Sequence, residues 1–133
     1  MKQDIQRPEV ENVAMAVVKE TDGDEPAWGV YLINEKDIPL STVLVSSRGY
    51  GEVEGQEVKT SQLRHFLEDV EATSFKKVEV MMPEVFGLTN QYLLSFYIDR
   101  VIFDKKYIFL AESIIDDNLV NIPLINRPGV LIR

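Results

Sequence analysis

The sequence predicts a mainly all-β domain, an antiparallel β-sandwich with one short helix; a small β-barrel or an α+β arrangement is the alternative. Three observations predict it. The stretch Tyr92–Ala111 reads YLLSFYIDRVIFDKKYIFLA, two aromatic and β-branched runs joined by Asp104-Lys105-Lys106. Such residues suit a pleated, half-buried surface, and a short polar link suits a hairpin that must lie against another sheet. Strand-like runs recur at even spacing elsewhere, which is the pattern of sandwiches and barrels. Finally, Phe75–Met82 alternates, with Lys77 and Glu79 on one side and Val78, Val80 and Met82 on the other.

Each element follows in order. Residues 1–10 form a polar lead-in to a single domain covering 1–133. Val13–Val18 is the first strand, ended by the acidic turn Thr21–Pro26. Trp28–Asn34 is the second, and Thr42–Ser47, after the turn Glu35–Pro39, is the third. Arg48–Gly55 reads as a glycine-rich loop. Leu63, Phe66, Leu67 and Val70 then fall at helical spacing behind Thr60-Ser61, a cap, and predict the short helix. The alternating strand and the hairpin follow. Beyond the turn Asp116-Asp117-Asn118, Val120–Ile125 and Gly129–Ile132 are short strands punctuated by Pro123 and Pro128. Proline lacks the ladder donor, so at least one of them belongs at a sheet edge or bulge.

Composition narrows the function classes. The chain has no cysteine, which excludes disulfides, thiolate metal sites and cysteine nucleophiles, and fits a reducing compartment. Met1–Pro8 lacks an apolar signal core, and Val13–Val18 is far shorter than the roughly 20 residues of a membrane span. The expected location is cytoplasmic, with no membrane contact. A net charge of −8 counts against nucleic acid as a partner, since phosphate binding relies on cations.

No residue pattern points to catalysis or to a cofactor. His65, the lone histidine, has no nucleophile or carboxylate at a telling spacing and is read as structural. Asp22, Asp24 and Glu25 are the best oxygen cluster, but they miss the calcium-loop spacing and suit a turn, as do Asp116 and Asp117. Gly49, Gly51 and Gly55 lack the Lys-Ser or Lys-Thr of a phosphate cradle, and Ser46, Ser47, Ser95 and Ser113 lie in no nucleophile-elbow context. Trp28, Tyr31, Tyr92, Tyr97 and Tyr107 offer a sugar-stacking platform only if they share a face; core packing is the simpler reading. Arg48 and Tyr50 are the candidates for partner contact, because Tyr and Arg concentrate at interface hot spots.

Two resemblances add to this. Val30–Val45, YLIN through a polar turn with Pro39-Leu40 to a Val-x-Val strand, resembles part of immunoglobulin-like and fibronectin-like domains, and implies an immunoglobulin-like sandwich. Val43–Gly51, Leu63–Leu67 and Asp104–Leu110 make the chain similar to a group of small bacterial proteins of nearly this length. Some of those carry the label phenylalanyl-tRNA synthetase subunit, which implies a synthetase-associated subunit or accessory. Arg48-Gly49-Tyr50-Gly51 departs from the ATP-clamping arginine motif of such enzymes. The expected function is therefore a non-catalytic binding or assembly module, joining a protein partner or a second copy as a homodimer. A synthetase accessory and a calcium- or carbohydrate-binding sandwich are the alternatives.

Overall fold

The computed structural model describes residues 8–22 and 25–133. Most of the expected lead-in, with Gly23 and Asp24 of the expected acidic turn, lies outside the described residues. The strands are β1 (Val13–Asp22), β2 (Glu25–Asn34), β3 (Leu40–Val53), β4 (Gln56–Lys59), β5 (Leu63–Val70), β6 (Ser74–Val80), β7 (Thr89–Ile98), β8 (Val101–Phe109), β9 (Val120–Asn121) and β10 (Pro128–Ile132). Single 3-10 turns occupy Pro83–Val85 and Asp116–Asn118. The strands form two antiparallel sheets that do not close into a barrel. The first runs β6-β2-β1-β10-β9; the second runs β4-β3-β7-β8, with β5 also paired to β3.

The all-β expectation holds, and several expected elements are corrected. Leu63–Val70 is β5, not a helix. Its pairing is irregular: Leu40 pairs Val70, Val43 pairs Glu68 and Leu44 pairs Phe66, so β3 and β5 each carry one extra residue. Leu67 and Val70 lie three apart and would face opposite ways on a regular strand. The β-bulge, with Glu68 at φ 62, lets both point inward, while Phe66 of the same spacing points to the outer face and Leu63 is half exposed.

The glycine-rich segment is likewise strand. β3 continues to Val53 and turns at Glu54-Gly55, whose φ values of 52 and 80 suit a two-residue hairpin. The strong hairpin turns at Asp99-Arg100, φ 48 and 66, rather than at Asp104-Lys105-Lys106. Two positive φ values match the twist of the flanking strands, so this tight turn is favoured even without glycine. Lys105 and Lys106 instead sit inside the edge strand β8, where lysine discourages unwanted pairing.

Between the sheets lies the main core, with Met15, Val17, Val30 and Leu32 meeting Val43, Val45, Leu94, Phe96 and Phe109. Phe96 stacks on Phe103 at 5.2 Å, and Tyr92 meets Phe109 edge to face at 5.9 Å. The alternate residues of β1, Ala14, Ala16 and Val18, are also fully buried, against Ile33 and Ile122 with Leu124, Ile125 and Leu131 beside them. The segment joining β9 to β10 thus roofs the outer face of the first sheet. Gly129 permits this closeness, since a Cβ there would stand 2.6 Å from the Val17 carbonyl oxygen. Of the expected strand Val120–Ile125 only Val120–Asn121 is strand, as β9 at the end of its sheet; Pro123 lies in the connecting segment and Pro128 in β10, between β1 and β9.

Tyr107 fastens the sheets, donating from its hydroxyl to the Val13 carbonyl at 2.6 Å. Burial pushes the phenols of Tyr107 and Tyr92 well above their ordinary value, with Glu79 adding to the effect at Tyr92. Tyr107→Phe should lower unfolding stability by about 1–3 kcal/mol in urea denaturation, the cost of stranding a buried acceptor. Above about pH 10 the unfolded chain releases tyrosine protons that the folded chain keeps, so stability should hold below that pH and fall above it. Tyrosinate absorbance should then show Tyr92 and Tyr107 ionising only as the protein unfolds.

Candidate functional site

The second sheet has an open outer face, and its register sets the rows of side chains upon it. Phe66, Leu44, Ser95 and Asp104 lie across one row, and Arg64, Ser46, Leu93 and Lys106 across the next. Arg48 and Gln91 with Ile108, then Tyr50 with Lys59, and finally Glu52 with Glu57 continue toward the β3–β4 end. Alternation along β3 puts Leu44, Ser46, Arg48, Tyr50 and Glu52 on one side. Apolar groups stand in water here: Leu44 is 37% exposed, Phe66 62%, Leu93 40% and Tyr97 38%. The two candidates from sequence meet on this face, the Arg48 guanidinium lying 5.6 Å from the Tyr50 ring centre. A groove of about 320 Å³ between β3 and β4 is lined by both, with Glu52, Glu57, Val58 and Lys59.

A second arrangement lies at the seam where β6 of the first sheet meets β3, β5 and β7 of the second. Val30 pairs Glu79 but Tyr31 pairs Lys77, so Val78 is an extra residue in β6. That bulge turns Glu79 inward on the side of Val30 and leaves Lys77 outside with Tyr31. The sequence places Lys77 and Glu79 together on a wet face; the structure separates them, and Val80 is 59% exposed rather than dry. Ser47 Oγ donates to Glu79 Oε1 at 2.8 Å, His65 Nε2 stands 2.7 Å from the same oxygen, and Tyr92 OH donates to Oε2 at 3.0 Å. A carboxylate only accepts, so His65 carries its proton on Nε2.

Chemically this is a clamp. In a hydrolytic triad the imidazole accepts from the serine; here serine and imidazole both donate to one carboxylate. Beside the cluster opens a cleft of about 240 Å³, lined by Ser47, Glu79 and Tyr92 and walled by Leu63, Val80, Met81, Met82 and Val85. Sequence reasoning missed Glu79, Ser47 and Tyr92 as a group and saw His65 only alone. The bulge that gathers them leaves no mark on the alternating pattern.

The other candidates are dispersed. Trp28 packs edge to face on Phe86, Tyr92 and Tyr107 are in the core, and Tyr97 is on the opposite sheet's outer face from Tyr31. They share no platform. Tyr31 donates to Glu20, which Lys77 also reaches at 3.0 Å. Burial and that bond push the Tyr31 phenol up to about 12. Burial alone would raise the Glu20 carboxyl, but the Tyr31 and Lys77 bonds hold it below its ordinary value. Asp116 lies 3.6 Å from Lys19, and Asn118 donates to the Ser113 carbonyl at 2.8 Å, as turn residues do. Asp24 of the acidic cluster is outside the described residues. Among the described residues no helix is long and apolar enough to cross a membrane.

Glu79→Ala strands three donors at the seam and should lower stability by about 3 kcal/mol in urea denaturation; Glu79→Gln, which keeps one acceptor, should cost less than half of that. No family model matches this chain, and no curated protein matches it.

Proposed function

We propose that this chain is a non-catalytic binding and assembly module that docks through the outer face of its second sheet, with a second copy as partner. What carries the reading is the contrast between the two outer faces. One is roofed by Ile122, Leu124 and Ile125; the other leaves Leu44, Phe66, Leu93 and Tyr97 uncovered. Apolar area kept in water at a sheet face is the usual material of a protein interface. A cytoplasmic setting suits a chain without cysteine.

Charge placement favours a second copy. Arg64 lies in a row with Lys106, and Glu57 in a row with Glu52, about 20 Å further along β3 at the usual rise per residue. The two-fold axis of a face-to-face pair lies in the plane of contact. An axis crossing the strands between Arg48 and Tyr50 sets Arg64 against Glu57 of the partner subunit and Arg48 against the partner's Tyr50. An axis along the strands would instead stack Arg64 on Lys106. The face measures roughly 20 by 30 Å, which gives over about 1,000 Å² in total, enough for a modest dimer.

Sedimentation equilibrium tests this. The wild-type chain should dimerise, and either Arg64→Glu or Glu57→Lys should weaken the dimer at least about tenfold, a change of about 1.4 kcal/mol. The Arg64→Glu/Glu57→Lys double variant should restore it. A wild-type chain that stays monomeric, or a double variant no better than the singles, refutes this docking mode.

A further inference from the structure

We infer that the cleft at the seam is a binding site for a small organic cation, a primary ammonium on a compact apolar or aromatic body. The observation is a partly exposed carboxylate, Glu79, on the lining of a cleft with apolar walls. A carboxylate offers about four acceptor positions. Ser47 and His65 fill those of Oε1, while Oε2 holds Tyr92 alone among the described residues. Glu79 lines the cleft together with Ser47 and Tyr92, so the carboxylate borders space a ligand can enter. Ser47 spends its proton on Glu79 and keeps its oxygen lone pairs, which provides a second acceptor next to the first.

The walls set the rest of the ligand. Leu63, Val80 and Met82 are 50%, 59% and 57% exposed around the mouth, and Met81 is buried beneath them. Methionine sulfur packs well against an aromatic ring. The volume of about 240 Å³ corresponds to roughly eight waters at ~30 Å³ each, so the body is small. A carboxylate ligand is disfavoured by Glu79, and a neutral alcohol forgoes the charge-assisted bond. Arg48 borders the cleft, but its guanidinium lies over Tyr50 on the outer face.

The test titrates the full chain with 2-phenylethylammonium, 2-phenylethanol and phenylacetate, following the Met81 and Met82 methyl groups by NMR. The ammonium should saturate these shifts and bind at least about tenfold tighter than the alcohol, with phenylacetate weakest. Glu79→Gln should erase the preference for the cation. If that variant does not fold, Leu63→Trp, a change at an exposed position on the mouth, should block all three probes while leaving circular dichroism unchanged. Equal binding of the three probes, no methyl shift with the ammonium, or full ammonium binding by Leu63→Trp overturns the site.

Discussion

A carboxylate held between two sheets organises one whole side of this molecule. Glu79 is 15% exposed, and a carboxylate mostly withdrawn from water needs donors to replace its lost hydration. It receives them from three different strands, Ser47 on β3, His65 on β5 and Tyr92 on β7. The seam between β6 and the second sheet is therefore closed by directional bonds beside the apolar packing of Val78, Leu67 and Val70. Directional bonds specify distance and angle, so they fix how the edge of one sheet meets the other. Elsewhere the layers are joined by Met15, Val30, Leu94 and Phe96 and their neighbours, which fill space but impose less orientation.

The two sheets differ in what covers their backs, and chain order explains it. β1 lies at the centre of the first sheet, and Val13–Val18 are all at most 3% exposed. A strand buried on both faces reads as a continuous apolar run, which is how this one appears in the sequence. Its outer side exists as a core because the chain returns after β8, crosses that face with Ile122, Leu124 and Ile125, and re-enters as β10. Nothing in the described chain performs the same service for β3, β5, β7 and β8. Their outer side chains match that situation only in part: Arg48, Arg64 and Lys106 suit water, whereas Phe66 and Leu93 do not.

Much of the fold was legible in the residues. The runs in β1, β2, β6, β7 and β8 announce themselves through β-branched and aromatic content. What failed to show has one recurring cause. Bulges and tight turns break the period of two, and a linear pattern has no symbol for an extra residue. The extra residue in β5 let Leu67 and Val70, three apart, share a side; Val78 hid the inward turn of Glu79; Asp99-Arg100 made a hairpin without the Asn-Gly or Asp-Gly that usually marks one. The Arg48–Tyr50 pair was visible because residues two apart on a strand share a face. The Glu79 cluster was not, because its members are 13 to 32 residues from Glu79 and meet only after both sheets form.

Both surfaces of interest are written on the same two strands. On β3, Ser47 points to the seam, while its neighbours Ser46 and Arg48 point to the open face; on β5, His65 points in, while Arg64 and Phe66 point out. A slip of one residue would exchange the two sets, sending Arg64 into the core and leaving Glu79 without its histidine. The irregularities near Leu40–Leu44 are compensated between β3 and β5. One extra residue in β3 is matched by one in β5, so pairing is disturbed locally and regained from Leu44–Phe66 to Ser47–Leu63. Against β7 the extra residue of β3 is unmatched, since Ser41 pairs Tyr97 and Leu44 pairs Ser95, and pairing is regular from Leu44 onward. That regular stretch is the register in which a clamp can sit beneath a contact face, one residue apart along the chain and on opposite sides of one sheet.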